Sequence, residues 1–252
     1  MLILTTMDNY HSHWDQLAER FNTHNKYRGG HQDATVNIHV GWPSFLHQIN
    51  LQKRYLGIKS CTILDFGCGT GGFSGMLSSN GHRVVGVDKS KEMLKIAKGN
   101  ITNKVLFLDT NSFFKSEKHK SSFDVITAMH VFDWIHNTES NVIKLDKYLR
   151  KGGIFLLSVF PKQHVIDSIS IKDLFTEFDS SINPKIGYAD FDGIKIKTYV
   201  RDPHYYERVF SKQGYEKVAE EVPPYPLKFL NTHGWKGSLQ PEMVIMCFRK
   251  IR

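Results

Sequence analysis

The chain has 252 residues, 40% hydrophobic and 23% charged, with a formal net charge of +8. Those are ordinary globular values, sufficient for a well-buried core, and the lysines are scattered rather than massed, so a solvated basic surface is expected in place of a nucleic-acid face. No run reaches the roughly 18 apolar residues of a membrane span, residues 1–8 are too short for a signal peptide, and three widely spaced cysteines form neither a disulfide framework nor a zinc pattern, so a reducing, cytoplasmic setting is expected.

In chain order, Tyr10, Trp14, Leu17 and Phe21 recur at helical spacing, which predicts an amphipathic helix over 10–21. A His-, Asn- and Gly-rich segment (24–41) reads as a loop. Six histidines lie between 11 and 47 with no carboxylate or cysteine in a ligand pattern, so no metal site is expected. Residues 42–49, with Pro43 in the first turn, predict a helix. Then strands and helices alternate, as in a parallel α/β sheet. Strands are expected at 61–66, 83–88, 104–109, 123–130 and 154–160. Helices are expected at 72–80, from Ser90 onward and at 139–150, with a polar connection over 111–120. Residues 161–202 exceed a minimal core and include a candidate strand at 194–200; an insertion after the fifth strand sits over the carboxyl ends of the sheet, where ligands bind. A helix (203–213) and two strands (215–222, 243–250) close the chain, with an aromatic loop between those strands.

The most informative stretch is 62–72. A buried strand ends on Asp65 and Phe66 and runs into Gly67, Gly69, Gly71 and Gly72, after which Phe73, Met76 and Leu77 resume at helical spacing. Glycine permits positive φ and leaves no Cβ between ligand and backbone, so this is a strand–turn–helix cradle. The spacing alone also satisfies a dinucleotide fingerprint. Two acids tilt the choice. Asp65 stands where a pyrophosphate would meet negative charge, and Asp88 ends the second strand about 20 residues on, where a carboxylate reaches a ribose. The pair suits a ligand that is cationic at sulfur and amino group and has no phosphates, namely S-adenosylmethionine.

Residues 62–98, with Asp65, the glycines, and then Val87, Asp88, Ser90, Glu92, Met93 and Leu94, resemble the class I S-adenosylmethionine-dependent methyltransferases, nearest to the subgroup acting on small molecules. The resemblance implies a Rossmann-like, seven-stranded, mostly parallel sheet with helices on both faces and an antiparallel last strand. The whole of 1–252 is then one domain, with an N-terminal helical cap (1–57), a cofactor-binding core (61–160), a substrate-cover insertion (161–202) and a C-terminal part (203–252). By motif position, Gly67, Cys68, Gly69 and Gly71 would pack against the methionine moiety and Asp65 would attract its ammonium. Asp88 would accept from the ribose hydroxyls, Lys89 and Met93 would flank the adenine, Asp109 with Thr110 would meet the adenine amino group, and Met129 would touch the cofactor.

The first helix, through Trp14, Asp15, Ala18 and Phe21, either closes the substrate side or simply docks on the core. Acceptor-side candidates at the end of the fourth strand are His130, a general base if the acceptor is a hydroxyl, and Phe132, Asp133 and Trp134 as pocket walls. An amine acceptor bound neutral needs no base. The expected function is methyl transfer to O or N of a small organic acceptor, with no membrane and a monomer or homodimer. Two alternatives stay open: an RNA base-modifying methyltransferase, marked by salt-dependent tRNA binding, and a cofactor-binding protein that never transfers the methyl group.

Overall fold

A computed structural model describes residues 13–24, 35–101, 104–233 and 239–252. Its main sheet has seven strands: β1 (Thr62–Phe66), β2 (Arg83–Asp88), β3 (Val105–Asp109), β4 (Phe123–Met129), β5 (Leu149–Val159), β9 (Tyr215–Glu221) and β10 (Val244–Lys250). Their spatial order is β3-β2-β1-β4-β5-β10-β9. The first five run parallel, and β10 is antiparallel to both neighbours. This is the Rossmann-like sheet expected from the sequence.

Period-two alternation divides each inner strand between two covered faces. Leu64, Phe66, Ile126, Phe155 and Leu157 enter one buried cluster. Ile63, Val125, Ile154 and Leu156 enter the other, against α1 (Trp42–Leu56) and α2 (Gly72–Ser79). Sequence order reverses about β1, since β2 lies on one side and β4 on the other. That reversal opens a crevice at the carboxyl ends, and the register sets Asp65 beside Gly86 and Thr127, and Asp88 beside Asp109, along it.

The insertion forms α6 (Lys162–Ser170) and a separate antiparallel sheet of β6 (Phe175–Asp179), β7 (Lys185–Phe191) and β8 (Ile194–Val200). Its apolar face packs with Leu17, Trp14, Phe21 and Trp134 into a third cluster above the crevice. Of these three strands only β8 matches a strand expected from the sequence.

Several expectations need correction. Only 13–16 are helical within the expected 10–21 helix, followed by turns to 21; residues 10–12 lie outside the described chain. Within the expected loop 24–41, residues 35–41 are helical, including a wide turn at Asn37–Gly41 that feeds α1. The expected polar connection holds α4 (Thr110–Lys115), because Asp109 caps it. Helix α5 (Thr138–Asp146) stops short of 150, and β5 starts at Leu149: Gly152, at φ 77°, absorbs a register shift that lets the strand begin early. The expected helix before β9 is α7 (Pro203–Lys212), and part of the expected aromatic loop is helical, α8 (Leu227–His233).

Candidate active site

The cradle after β1 is held by its own backbone. Gly67, Gly69 and Gly71 all have positive φ (76°, 53° and 80°). The Gly67 and Cys68 N–H groups donate to Val87 O, tying the turn to β2. Gly69 N–H donates to Asp88 Oδ2 at 2.8 Å, while Lys89 and Ser90 N–H donate to Oδ1 at 2.7 and 2.8 Å. Three N–H donors thus orient the Asp88 carboxylate, and its pKa is nevertheless raised because burial outweighs them. Asp65 is 3% exposed and accepts from Ser74 Oγ (2.6 Å) and Thr127 Oγ1 (2.9 Å). Burial raises its carboxyl to about 6, opposed by those two hydroxyls.

The N-terminal segment is buckled over this cradle. Thr70 Oγ1 donates to Phe21 O at 2.9 Å, and Thr70 O meets His24 Nε2 at 3.0 Å. Asp15 Oδ1 accepts from Ser90 Oγ (2.6 Å) and Glu92 N–H (3.2 Å), so it caps α3 (Lys91–Asn100) together with Ser90. Arg20 pairs with Asp192 at the β7–β8 turn and lies over the Phe191 ring. At Gly72 a Cβ would sit 2.1 Å from Thr23 Oγ1, so this closure depends on glycine there.

Beneath the buckle and the insertion lies a cavity of about 990 Å³, at the upper end of the roughly 300–1,000 Å³ of ligand sites. Cavity-wall residues on the cradle side include Asp65, Gly67, Cys68, Gly69, Asp88 and Lys89, followed by Met93, Thr110 and Met129. Trp14, Phe21, His130 and Trp134 line the other side. These thirteen expected residues are therefore brought together. Three are not. Gly71 turns the chain into α2, and a Cβ there would strike Phe107 and Ala97 behind the cradle. Asp109 is absent from the cavity lining, and its Oδ1 caps α4, accepting from Ser112 N–H at 3.0 Å. Asp133, expected as a pocket wall, is 1% exposed and absent from the cavity lining.

Asp133 has a different position. Its Oδ2 faces His130 Nδ1 at 3.1 Å and its Oδ1 accepts from Phe160 N–H at 2.9 Å. His130 sits at φ 49°, its N–H shared between Ser158 O and Oγ, and its ring is 4.2 Å from that of Phe160. Nδ1 is thus committed to a carboxylate, while Nε2 is buried without a hydrogen-bond partner. A carboxylate at Nδ1 favours the tautomer with the proton on that nitrogen, which makes Nε2 the acceptor atom of the ring. The loop is braced by Arg201, whose guanidinium donates to Phe132 O, Ile135 O and His136 O and stacks on Tyr199 and Tyr205.

Thr70, Phe160, Phe191, Lys197, Tyr199 and Glu242 also line or close the cavity and were missed. Phe160 had a usable signal, as the last residue of a buried strand. Those on the insertion had none, since a cover built from loops and a small sheet carries no motif.

The family described as methyltransferase domain matches residues 7–220. The ubiquinone biosynthesis O-methyltransferase of Pelagibacter ubique is 25% identical over 151 residues, 59% of this chain and 63% of that protein. A malonyl-[acyl-carrier protein] O-methyltransferase of Halalkalibacterium halodurans is 33% identical over 104 residues, 39% of this chain and 38% of that one. Each match thus spans less than two thirds of the curated relative's length. Among solved structures, magnesium protoporphyrin IX methyltransferase of Synechocystis, with bound SAH, superposes with a TM-score of 0.65 at 13% identity, covering 96% of this chain and 98% of that one, a likeness of fold. With the family match running from the N-terminal segment through β1–β8 and most of β9, the chain belongs to the methyltransferase domain family.

Proposed function

We propose that the protein moves a methyl group from S-adenosylmethionine to a hydroxyl oxygen of a small organic acceptor, with His130 as general base. The observation that carries the choice of oxygen is His130 at the cavity, with Nδ1 held by Asp133 and Nε2 buried without a hydrogen-bond partner. A neutral amine needs no such group; a hydroxyl must lose its proton as it attacks.

The residues fit the cofactor. Two carboxylates, Asp65 and Asp88, flank a glycine cradle, and Lys89 is the only basic residue on that side of the wall among the described residues, an arrangement hostile to phosphates and suited to a sulfonium and an ammonium. Asp88 holds the ribose, Met93, Lys89 and Thr110 border the adenine, and Asp65 faces the ammonium. When bound, S-adenosylmethionine supplies a methyl carbon already made electrophilic by the cationic sulfur.

The protein's tasks are then positional. His130 Nε2 takes the acceptor's hydroxyl proton as its oxygen attacks, and Asp133 steadies the imidazolium that results. The Trp14, Trp134 and Phe160 rings exclude water. The insertion is substrate cover on a single domain. The chain has no helix long and apolar enough to cross a membrane among its described residues, and its cysteines are free and buried, which suits a cytoplasmic setting.

The test is His130→Gln, assayed for S-adenosylhomocysteine release with hydroxyl acceptors and for S-adenosylhomocysteine affinity by calorimetry. The expected result is a rate loss of about 10²–10⁴ with cofactor affinity retained. Undiminished turnover would refute the base, and absence of any S-adenosylhomocysteine binding would refute the whole reading.

A further inference from the structure

Asp133 has few partners of its own. It is 1% exposed, and among the described residues its hydrogen bonds are to the His130 ring and the Phe160 N–H. Its backbone belongs to a short turn, Phe132–Trp134, which no side chain of its own caps. Such a turn needs an outside hold if the carboxylate is to face one nitrogen of one ring.

The insertion supplies that hold. Arg201, just past the end of β8, is 6% exposed and pairs with no acid among the described residues. Its donors go to carbonyls instead: Nη1 to Phe132 O at 3.1 Å, and Nη2 to Ile135 O at 2.9 Å and His136 O at 2.6 Å. Phe132 precedes Asp133, while Ile135 and His136 follow it, so the guanidinium clasps the turn on both sides. Its centre lies 5.0 Å from the Tyr199 ring and 5.3 Å from the Tyr205 ring, which fix its plane. Val200, the residue before it, is buried in the third cluster with Phe160 and Phe191. A guanidinium offers five N–H donors in one rigid plane, a geometry that an ammonium lacks.

Tyr206 of α7 reports how near the clasp is to the dyad. It is fully buried; burial and then the Asp133 charge raise its phenol, while Arg201 lowers it, so one hydroxyl feels both charges. A carboxylate as buried as Asp133 gains from such a nearby cation.

We infer that Arg201 is the positioning residue of the dyad, holding the turn of residues 132–136 so that Asp133 faces His130 Nδ1. This rests on the His130 reading above and adds to it the group that sets the base.

The experiment compares the wild-type chain with Arg201→Ala and Arg201→Lys, all loaded with S-adenosylhomocysteine. Calorimetry of that ligand reports folding, because Arg201 lies outside the cradle. Nitrogen NMR then reads which ring nitrogen of His130 carries the proton, and needs no acceptor. The wild type is expected to carry it on Nδ1. Arg201→Ala should shift the proton toward Nε2, and guanidinium ion at sub-denaturing concentration should restore Nδ1–H where ammonium ion does not. Arg201→Lys keeps the charge but not the fork, so it should shift the proton as well; should Arg201→Ala fail to fold, this variant decides. In turnover of a hydroxyl acceptor, Arg201→Ala should lose about tenfold or more in kcat, with KM little changed, yet cost almost nothing further in an Asp133→Asn background. An unchanged tautomer in both variants, no restoration by guanidinium, or additive losses in the double variant overturns the inference and leaves His130 as base. A wild type with its proton on Nε2 takes down the His130 reading as well.

Discussion

Replacing Asp133 with Asn alters one atom of the dyad and leaves its shape intact. Asp133 Oδ1 accepts from Phe160 N–H at 2.9 Å, and an asparagine oxygen can keep that bond. The NH₂ then replaces Oδ2, which lies 3.1 Å from His130 Nδ1. An amide N–H there demands a lone pair on Nδ1, so the imidazole proton moves to Nε2. The ring then offers the acceptor hydroxyl a donor where it needs an acceptor. General-base catalysis is worth roughly 10²–10⁴ in rate, or about 3–5 kcal/mol at 1.36 kcal/mol per tenfold. The fold loses little, about 1 kcal/mol for one exchanged hydrogen bond. The assay is kcat and KM for a hydroxyl acceptor, S-adenosylhomocysteine affinity by calorimetry, and Tm. Asp133→Asn is expected to lose rate within that range, almost all in kcat, with cofactor affinity and Tm nearly kept. A loss below about tenfold would show that the tautomer is irrelevant, and a parallel loss of cofactor affinity would mark Asp133 as structural only.

Three further outcomes are expected. At Gly67, with φ 76°, a Cβ would lie 2.3 Å from Val131 Cγ2, so Gly67→Ala should cost about 2–5 kcal/mol from backbone strain and overpacking, read as a lower urea midpoint. Thr70→Ala removes the hydroxyl that buckles Phe21 to the cradle; a loss of about 1 kcal/mol should speed S-adenosylhomocysteine dissociation about fivefold in stopped flow. Asp65 titrates near 6 rather than 3.8 because it is buried. Its contribution to stability is therefore full below about 3.8 and lost as pH rises through about 6. Ligand ammonium favours the ionised form, so S-adenosylhomocysteine affinity should fall about tenfold per pH unit below 6. Asp65→Asn should then stabilise the ligand-free protein at pH 7.5 by up to about 3 kcal/mol while weakening the cofactor and flattening its pH dependence. A Tm unchanged by Asp65→Asn, or a flat wild-type affinity profile, would contradict this.

Legibility followed locality. The cradle was readable because each piece answers to a local rule: Gly67 and Gly69 at positive φ, and Asp88 at a strand end about 20 residues on. Asp133 misled for the same reason: it is an acid just beyond a strand end, and the sequence holds no sign that it grips a histidine. The choice turned on which way a side chain points after a turn, and that depends on the neighbours.

Strand periodicity and glycine spacing by themselves determined the sheet, its parallel core and the position of the crevice, since each depends on backbone conformation within a few residues. The tertiary structure alone decided the closure and the acceptor side. Phe21 meets Thr70 across 49 residues, Asp15 meets Ser90 across 75, and Arg20 meets Asp192 across 172. On the acceptor side, Arg201 meets Phe132 across 69. Contacts at such separations are fixed by how layers pack after the strands have paired, and no local pattern of residues encodes them.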